Sequence, residues 1–210
     1  MAPKTKAVSM EEKQRRQLVR LERLMDVVYA LVIWRLFMLL PRPAIDGIEY
    51  ESVTSMLGAN WKIFVVILLA TLITIVFWLQ NNELFGYLEA TDNVHTGLAI
   101  FQLLFILLFL YAIASGLRFE ASPDARVVES VAAMLLGIIS YATWYYAFKM
   151  RDLLSKEIDR KKANAILQRN LAEPITAAIT IPAAFVGSVF WEISWFIYPL
   201  LRYWLRRSGN

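Results

Sequence analysis

Three long apolar runs constrain the fold of this chain more than any other feature of its sequence. Residues 64–79 and 97–117 contain no charged side chain, and residues 127–148 contain only Glu129. Each run is close to the ~17–25 residues that a helix needs to cross a bilayer. The hydrophobic fraction of 58% and the mean hydropathy of +0.48 also lie far outside the soluble average. The sequence therefore predicts an all-α integral membrane protein.

The pattern of apolar runs and loops predicts six transmembrane helices. They cover residues 24–40, 62–80, 96–117, 127–149, 174–190 and 191–205. The basic residues support this number, because Lys and Arg concentrate in cytoplasmic segments. Seventeen of the 22 Lys and Arg residues fall on the side that holds both chain ends, four fall on the other side, and Arg35 lies within the first span. The N- and C-termini are therefore expected to be cytoplasmic.

The C-terminal apolar stretch, residues 173–204, allows two interpretations. As one straight helix it would be about 48 Å long, well beyond a ~30 Å hydrocarbon core. Pro182, Gly187 and Pro199 interrupt it, so a hairpin of two short helices that turns near residues 187–192 fits better. The alternative is a five-span chain, which would place the C-terminal arginines outside.

The N-terminus is polar and basic, without the apolar core of a cleavable signal peptide. Ser9 and Glu12 have the spacing of a capping box, which predicts a helix that starts there and continues into the first span. We therefore divide the chain into a cytoplasmic basic N-terminal segment at 1–23, a six-helix transmembrane domain at 24–206 and a short tail at 207–210.

The segment between the fourth and fifth spans, residues 151–170, carries many charges of both signs. Pairs such as Glu157 and Lys161 have i,i+4 spacing, which stabilises a solvated helix. The segment is expected to extend the fourth span into the cytoplasm. A solvated face is the simpler interpretation, and a site for a lipid headgroup or a partner is the alternative.

The composition excludes several classes of site. The chain has no cysteine and a single histidine, which excludes thiolate catalysis, disulfides and a multi-histidine metal site within one chain. His95 follows Asp92 at the start of the third span, where it is expected to cap or pair, and proton sensing is the alternative. No H-E-x-x-H, G-x-S-x-G or glycine-rich phosphate loop occurs. We therefore expect no enzyme activity, no catalytic residue, no metal and no cofactor.

Two ionisable residues of the first span are candidates for function, because charges in a bilayer are costly and rare. Asp26 follows Arg20 and Arg23 at the cytoplasmic end. It either pairs with an arginine or forms a latch or an ion-attracting ring. Arg35 lies among apolar residues, where an arginine costs roughly 2.5–3.5 kcal/mol at a helix centre. It either snorkels to the outer interface near Pro41, about 9 Å away along the helix, or forms a cationic ring around a pathway.

Three stretches together carry a resemblance to a known family. In the first span, Arg20 is followed after three residues by Leu24, Met25 and Asp26, which looks like Arg-x-x-x-Phe-Ser-Asp. Trp78, Asn81, Leu84 and Phe85 are similar to Trp-x-x-His-x-x-Leu-Phe at the end of a second helix, and Gln102-Leu-Leu-Phe is similar to Asn-Leu-Leu-Phe in a third. With this degenerate first-helix motif, the chain resembles the endosomal/lysosomal potassium channel family, transmembrane protein 175 and its bacterial relatives.

The resemblance implies a homotetramer in which the first helix of each chain lines a central pore. In that family a bulky apolar residue five positions after the motif aspartate forms the constriction, which would be Leu31 here. The helical period then places Val27, Val28, Leu31, Trp34, Arg35 and Met38 broadly on the same face. The implied partners are monovalent ions, with K⁺ favoured, and the lipid bilayer, with no nucleic acid. The implied location is the inner (plasma) membrane of a bacterium, as a multi-pass protein.

The leading prediction is passive conduction of K⁺ or other monovalent cations, with a hydrophobic gate at Leu31. Departures from the family pattern leave two alternatives. Leu24 and Met25 replace Phe and Ser, Asn81 replaces the histidine, and Trp34 replaces a threonine that the family often has. An Arg35 ring in the pore would favour anions, so an anion channel is the first alternative. The second is a non-conducting membrane scaffold that binds a partner or anionic lipid.

Overall fold

The computed structural model describes residues 9–42, 49–119 and 122–208. Eight α-helices and one π-helical turn occur in these ranges: α1 (Met10–Phe37), α2 (Val53–Phe85), α3 (Asn93–Arg118), α4 (Pro123–Tyr145), the π turn (Tyr146–Met150), α5 (Arg160–Arg169), α6 (Ala172–Val186), α7 (Ser188–Ser194) and α8 (Ile197–Ser208). Three of these, α2, α3 and α4 with its π turn, are long and apolar enough to cross a membrane. The predicted all-α membrane class is confirmed. Of the predicted terminal segments, residues 1–8 and 209–210 lie outside the described ranges.

The first helix begins where the capping pattern predicts. The side-chain oxygen of Ser9 accepts a hydrogen bond from the amide of Glu12 at 3.2 Å, which satisfies one of the free amides of the first turn. The helix continues without a break into the first predicted span. It ends at Phe37 rather than at residue 40, so that Arg35 lies in its last turn.

One face of α1 is buried against the rest of the chain. This face consists of Leu18, Leu21, Met25, Tyr29, Val32 and Leu36, which recur every three or four residues. That spacing places them in one stripe along the helix, as expected for a helix that packs through a single side. The buried stripe holds α1 against α2 and α3.

The second helix starts nine residues before the predicted span. Ser52 caps it through a hydrogen bond from the amide of Ser55 at 3.1 Å. The helix is bent at Asn60, whose φ of −115° is not helical. The Asn60 side chain donates to the carbonyl oxygen of Met56 and to the hydroxyl of Tyr50, both at 2.9 Å. Asparagine side chains often compete in this way with the helical hydrogen bonds of the backbone.

The C-terminal stretch folds as a hairpin of α6 and a returning arm made of α7 and α8. With α1 to α4 this gives the predicted number of six helices. The chain reverses at Gly187, whose φ of 155° favours glycine. Trp191 of α7 then returns beside α6, because Ser130 of α4 accepts hydrogen bonds from both Trp191 at 2.9 Å and Thr180 at 2.8 Å. The returning arm is interrupted between α7 and α8, and α8 packs beside α6 and α5.

The predicted extension of the fourth span through residues 151–170 is wrong. The π turn ends the helix at Met150, an irregular loop follows, and α5 is a separate helix of ten residues. The loop backbone instead pairs with the turn after α2. The amide of Glu89 donates to Leu153 at 3.0 Å, and that of Ser155 donates to Tyr87 at 2.8 Å. Because these peptide groups bond across two turns, they are not available to a continuous helix.

Contacts between helices bring the basic segments to one end of the bundle. Gln17 of α1 donates to Thr96 of α3 at 2.9 Å, and Arg169 of α5 pairs with Glu83 of α2 at 2.6 Å. The N-terminal half of α1, the segment before α6 and the end of α8 therefore share one face. The positive-inside bias makes this the cytoplasmic face.

Candidate functional site

The side of α1 that turns away from its buried stripe carries the six predicted pore residues, and four of them, Val27, Leu31, Trp34 and Arg35, are exposed. We call it the open face; it consists of Val27, Val28, Leu31, Trp34, Arg35 and Met38. Val27, Leu31 and Trp34 are 56%, 54% and 58% exposed. All six positions lie within about 60° of Leu31 around the helix axis. Val27, Val28, Leu31, Trp34 and Arg35 thus lie on one side of α1, and Met38 follows its last residue; Val28 and Met38 are half-buried.

The motif aspartate joins α1 to α2. Asp26 accepts a hydrogen bond from Trp78 Nε1 at 2.9 Å, so two of the three family-like stretches meet here. Among the described residues Asp26 takes part in no ion pair. Its partner is thus an indole rather than one of the preceding arginines, and Arg20 is exposed.

The second and third stretches also meet. Gln102 donates to Asn81 at 3.3 Å, and both side chains are buried between α2 and α3. Tyr29 of α1 is 1% exposed and lies close to Gln102. Tyr29 is not among the predicted site residues, although the helical period alone places it on the buried stripe, three residues after Asp26. Met25 is buried on the same stripe, whereas Leu24 is exposed.

A polar cluster ties the cytoplasmic ends of α3 and α4 together. Asp92 caps α3 by accepting a hydrogen bond from the amide of His95 at 2.8 Å, and it accepts another from the Tyr146 hydroxyl at 2.8 Å. Arg151 lies 3.5 Å from the same carboxylate. Burial alone would raise the pKa of Asp92, but the two hydrogen bonds and the nearby guanidinium outweigh it and lower the pKa below its ordinary value.

His95 is buried in this cluster and shares a 2.8 Å hydrogen bond with Thr91. His95 was expected to cap α3 or to pair, but the cap is Asp92, three residues earlier. No signal in the sequence identifies Tyr146 as a partner, because it lies 54 residues away from Asp92.

These contacts define what the site can do. Polar pairs fix α1 to α2 and α2 to α3, while the open face of α1 remains uncovered. No group of carboxylates and histidines suited to a metal ion occurs in the described part of the chain. The site is therefore a surface of fixed orientation, and its chemistry is that of a hydrophobic wall with one cation, Arg35.

The fold matches solved structures over almost its whole length. One is a lysosomal potassium-selective channel TMEM175 homologue from Chamaesiphon minutus, with a TM-score of 0.72 and 18% identity, covering 93% of this chain and 99% of that one. Another is a variant of the potassium channel MtTMEM175 in complex with a nanobody fusion protein, with a TM-score of 0.60 and 15% identity, covering 98% and 95%. No curated protein sequence matches the chain.

The fold and the open first helix define a multi-pass α-helical membrane protein with the architecture of these structures. Residues 20–109, which include α2, most of α3 and all three family-like stretches, match the model of the family described as endosomal/lysosomal potassium channel TMEM175. Over these residues the chain is similar to that family, as the resemblance of its three stretches predicts.

Proposed function

We propose that the chain forms a channel that conducts potassium or other monovalent cations passively across a membrane. The observation that carries this proposal is the open face of α1. Val27, Leu31 and Trp34 are each more than half exposed, although the other side of the same helix is buried. The family match covers residues 20–37 of this helix, and the structures with the same fold are of potassium channels.

The proposed assembly is a homotetramer in which four copies of α1 surround a central pore. Leu31 forms the narrowest ring and gates conduction through its bulk and its poor wetting. Two groups of residues have separate roles in this proposal. The pore is lined by Val27, Val28, Leu31, Trp34, Arg35 and Met38, and α1 is positioned by Arg20, Leu24, Met25, Asp26, Trp78, Asn81 and Gln102.

The proposed domain arrangement follows from the same assembly. Residues 24–206 form the channel domain, residues 1–23 form a basic cytoplasmic helix and tail, and residues 207–210 form a short tail. The bacterial channels with this fold suggest a bacterial inner (plasma) membrane. The concentration of basic residues at one end supports placing this end in the cytoplasm.

Anion conduction is the second candidate, and Arg35 is the observation that favours it. Arg35 is exposed about 40° from Leu31 around α1, and it forms no ion pair among the described residues. Four such side chains around a narrow pore would repel K⁺ and attract anions. The position of Arg35 in the last helical turn instead favours cation conduction, since a long side chain there can reach the outer interface and leave the pore.

The deciding experiment is the reversal potential of the purified protein in planar bilayers under an asymmetric KCl gradient. We expect reversal near the K⁺ equilibrium potential, with no change of selectivity in Arg35→Ala. Reversal near the Cl⁻ potential, relaxed by Arg35→Ala, would establish the anion channel instead. Inserted, folded protein without conductance at any voltage or pH would contradict both and support a non-conducting scaffold.

A further inference from the structure

A second site lies at the cytoplasmic end of α4, away from the open face of α1. Two adjoining cavities of about 250 Å³ and 290 Å³ share Phe148, Asp152 and Arg160 in their walls. We call the two together the α4–α5 groove. Phe148 and Leu154, each 9% exposed, form its apolar floor. Joined, the cavities fall within the ~300–1,000 Å³ that is usual for small-ligand sites.

The groove is lined by cations that pair with no carboxylate in the described part of the chain. Lys149 and Lys156 each line one cavity, and Arg160 lines both. The neighbouring Arg151 and Arg169, in contrast, each form an ion pair. A carboxylate, Asp152, shares the groove with the three cations, so the lining keeps a positive charge.

The groove lies where the fourth span leaves the membrane. It begins at Phe148, inside the π turn that ends this span, and Lys149 rests over the Phe148 ring at 4.3 Å. π-Helical segments occur often at functional sites. Met150, which lines the first cavity, is 65% exposed. Apolar exposed surface therefore adjoins the cationic lining at the height of the lipid headgroups.

We propose that the α4–α5 groove binds the headgroup of an anionic phospholipid of the cytoplasmic leaflet. The lipid phosphate accepts hydrogen bonds from Lys149, Lys156 and Arg160, and its acyl chains lie along the apolar end of α4. The cytoplasmic leaflet carries the anionic lipids that attract basic segments next to membrane spans. This site is independent of the ion that the chain conducts.

The chemistry of the lining favours a headgroup that carries hydroxyls. Asp152 would repel a second negative charge, but its carboxylate can accept hydrogen bonds from a polyol. A phosphodiester to glycerol supplies one negative charge and two hydroxyl donors. Phosphatidylglycerol therefore matches three cations and one carboxylate better than a lipid with a zwitterionic headgroup.

The test uses the purified full-length chain in micelles of an uncharged detergent, into which phosphatidylglycerol or phosphatidylcholine is titrated. Native mass spectrometry counts the lipids bound to each chain. We expect one phosphatidylglycerol per chain, held more tightly than phosphatidylcholine. The triple change Lys149→Gln, Lys156→Gln and Arg160→Gln should weaken it about fivefold for each cation, on the order of a hundredfold in all.

A matched triple variant, Lys13→Gln, Arg15→Gln and Arg207→Gln, removes the same charge from exposed positions at the same end of the bundle. We expect it to change the affinity less than about twofold, because these side chains do not line the groove. The charge-preserving triple Lys149→Arg, Lys156→Arg and Arg160→Lys should retain the bound lipid. It shows that a loss in the glutamine triple does not arise from misfolding, and helical circular dichroism of all three variants checks this directly.

Three results would overturn the proposal. An equal loss in the matched triple would show a diffuse attraction rather than a site. Equal affinity for the two lipids would exclude selection of an anionic headgroup. Displacement of phosphatidylglycerol by glycerol phosphate at a similar concentration would identify a soluble phosphate compound as the ligand, since the acyl chains would then contribute nothing.

Discussion

Gly137 of α4 packs directly against Pro174 of α6. A Cβ atom at this position would lie 2.8 Å from both Cδ and the backbone nitrogen of Pro174, closer than side chains pack. Gly137→Ala should therefore push the two helices apart and destabilise the protein by about 1–3 kcal/mol, as overpacking in cores does. The measurement is the thermal unfolding midpoint of the detergent-solubilised protein.

The control for this prediction is Gly97→Ala, in α3, where an added Cβ meets nothing within 4 Å. Alanine has the higher helix propensity, so this variant should be neutral or more stable by up to about 1 kcal/mol. Equal midpoints for the two variants would show that α4 and α6 do not pack as closely as the structure indicates.

Asp92 predicts a dependence of stability on pH. Its pKa is lower in the folded chain than in the unfolded one, so its stabilisation is present above the unfolded value of about 3.9 and is lost as pH falls through the folded pKa. Asp92→Asn keeps a side chain that caps α3 but removes the charge. Below about pH 4 the wild type should therefore lose more of its unfolding midpoint than the variant. Parallel curves from pH 7 to pH 3 would contradict this.

Single residues were predictable where the interaction is local. The Ser9 cap was predicted because its partner is three residues away. The bonds of Asp26 to Trp78 and of Asp92 to Tyr146 span 52 and 54 residues. For Asp26 the sequence offered nearby arginines as partners, and only the packing of α1 on α2 brings the indole within reach.

At the scale of helices, Gly187 determines the C-terminal hairpin. It separates α6 from α7 with a φ of 155° and a ψ of 164°, a conformation that side chains disfavour. Gly187→Ala should cost about 1–3 kcal/mol in the free energy of unfolding. Thermal unfolding measures the loss, and Gly58→Ala, with open space around its Cβ, is the helical control. A midpoint unchanged from the wild type would show that the reversal tolerates a side chain.

The helices that were predicted correctly are those with a long apolar run. The runs at 64–79, 97–117 and 127–148 became α2, α3 and α4, because burial in a bilayer requires helix over a span of that length. Residues 151–170 contain no such run. Their i,i+4 charge pairs favour a helix by only a few tenths of a kcal/mol each, and the backbone pairing with residues 87–89 prevailed.

At the scale of the whole molecule, the sidedness of the bundle was predictable from charge alone. Three basic segments that are far apart in sequence meet at one end, as the uneven distribution of Lys and Arg requires. The number of subunits, in contrast, was not predictable from the residues themselves. The open face of α1 indicates that another surface is needed, but its residues do not specify how many copies provide it, and four copies come from the family resemblance.

The absence of cysteine makes the proposed assembly directly testable. A disulfide requires Cβ atoms about 3.5–4.5 Å apart, so Leu31→Cys should cross-link under oxidation only if the four Leu31 side chains converge at a constriction. Leu104→Cys in α3 is the matched control, because Leu104 is 53% exposed and Leu31 is 54% exposed. We expect dimers on a non-reducing gel for Leu31→Cys alone, since one thiol per chain links two chains at most. Native mass spectrometry of the same sample should give four chains. Cross-linking at Leu104 but not at Leu31 would move the pore away from α1 and change the role of its open face to lipid contact. A mass other than four chains would contradict the tetramer but not the role of α1.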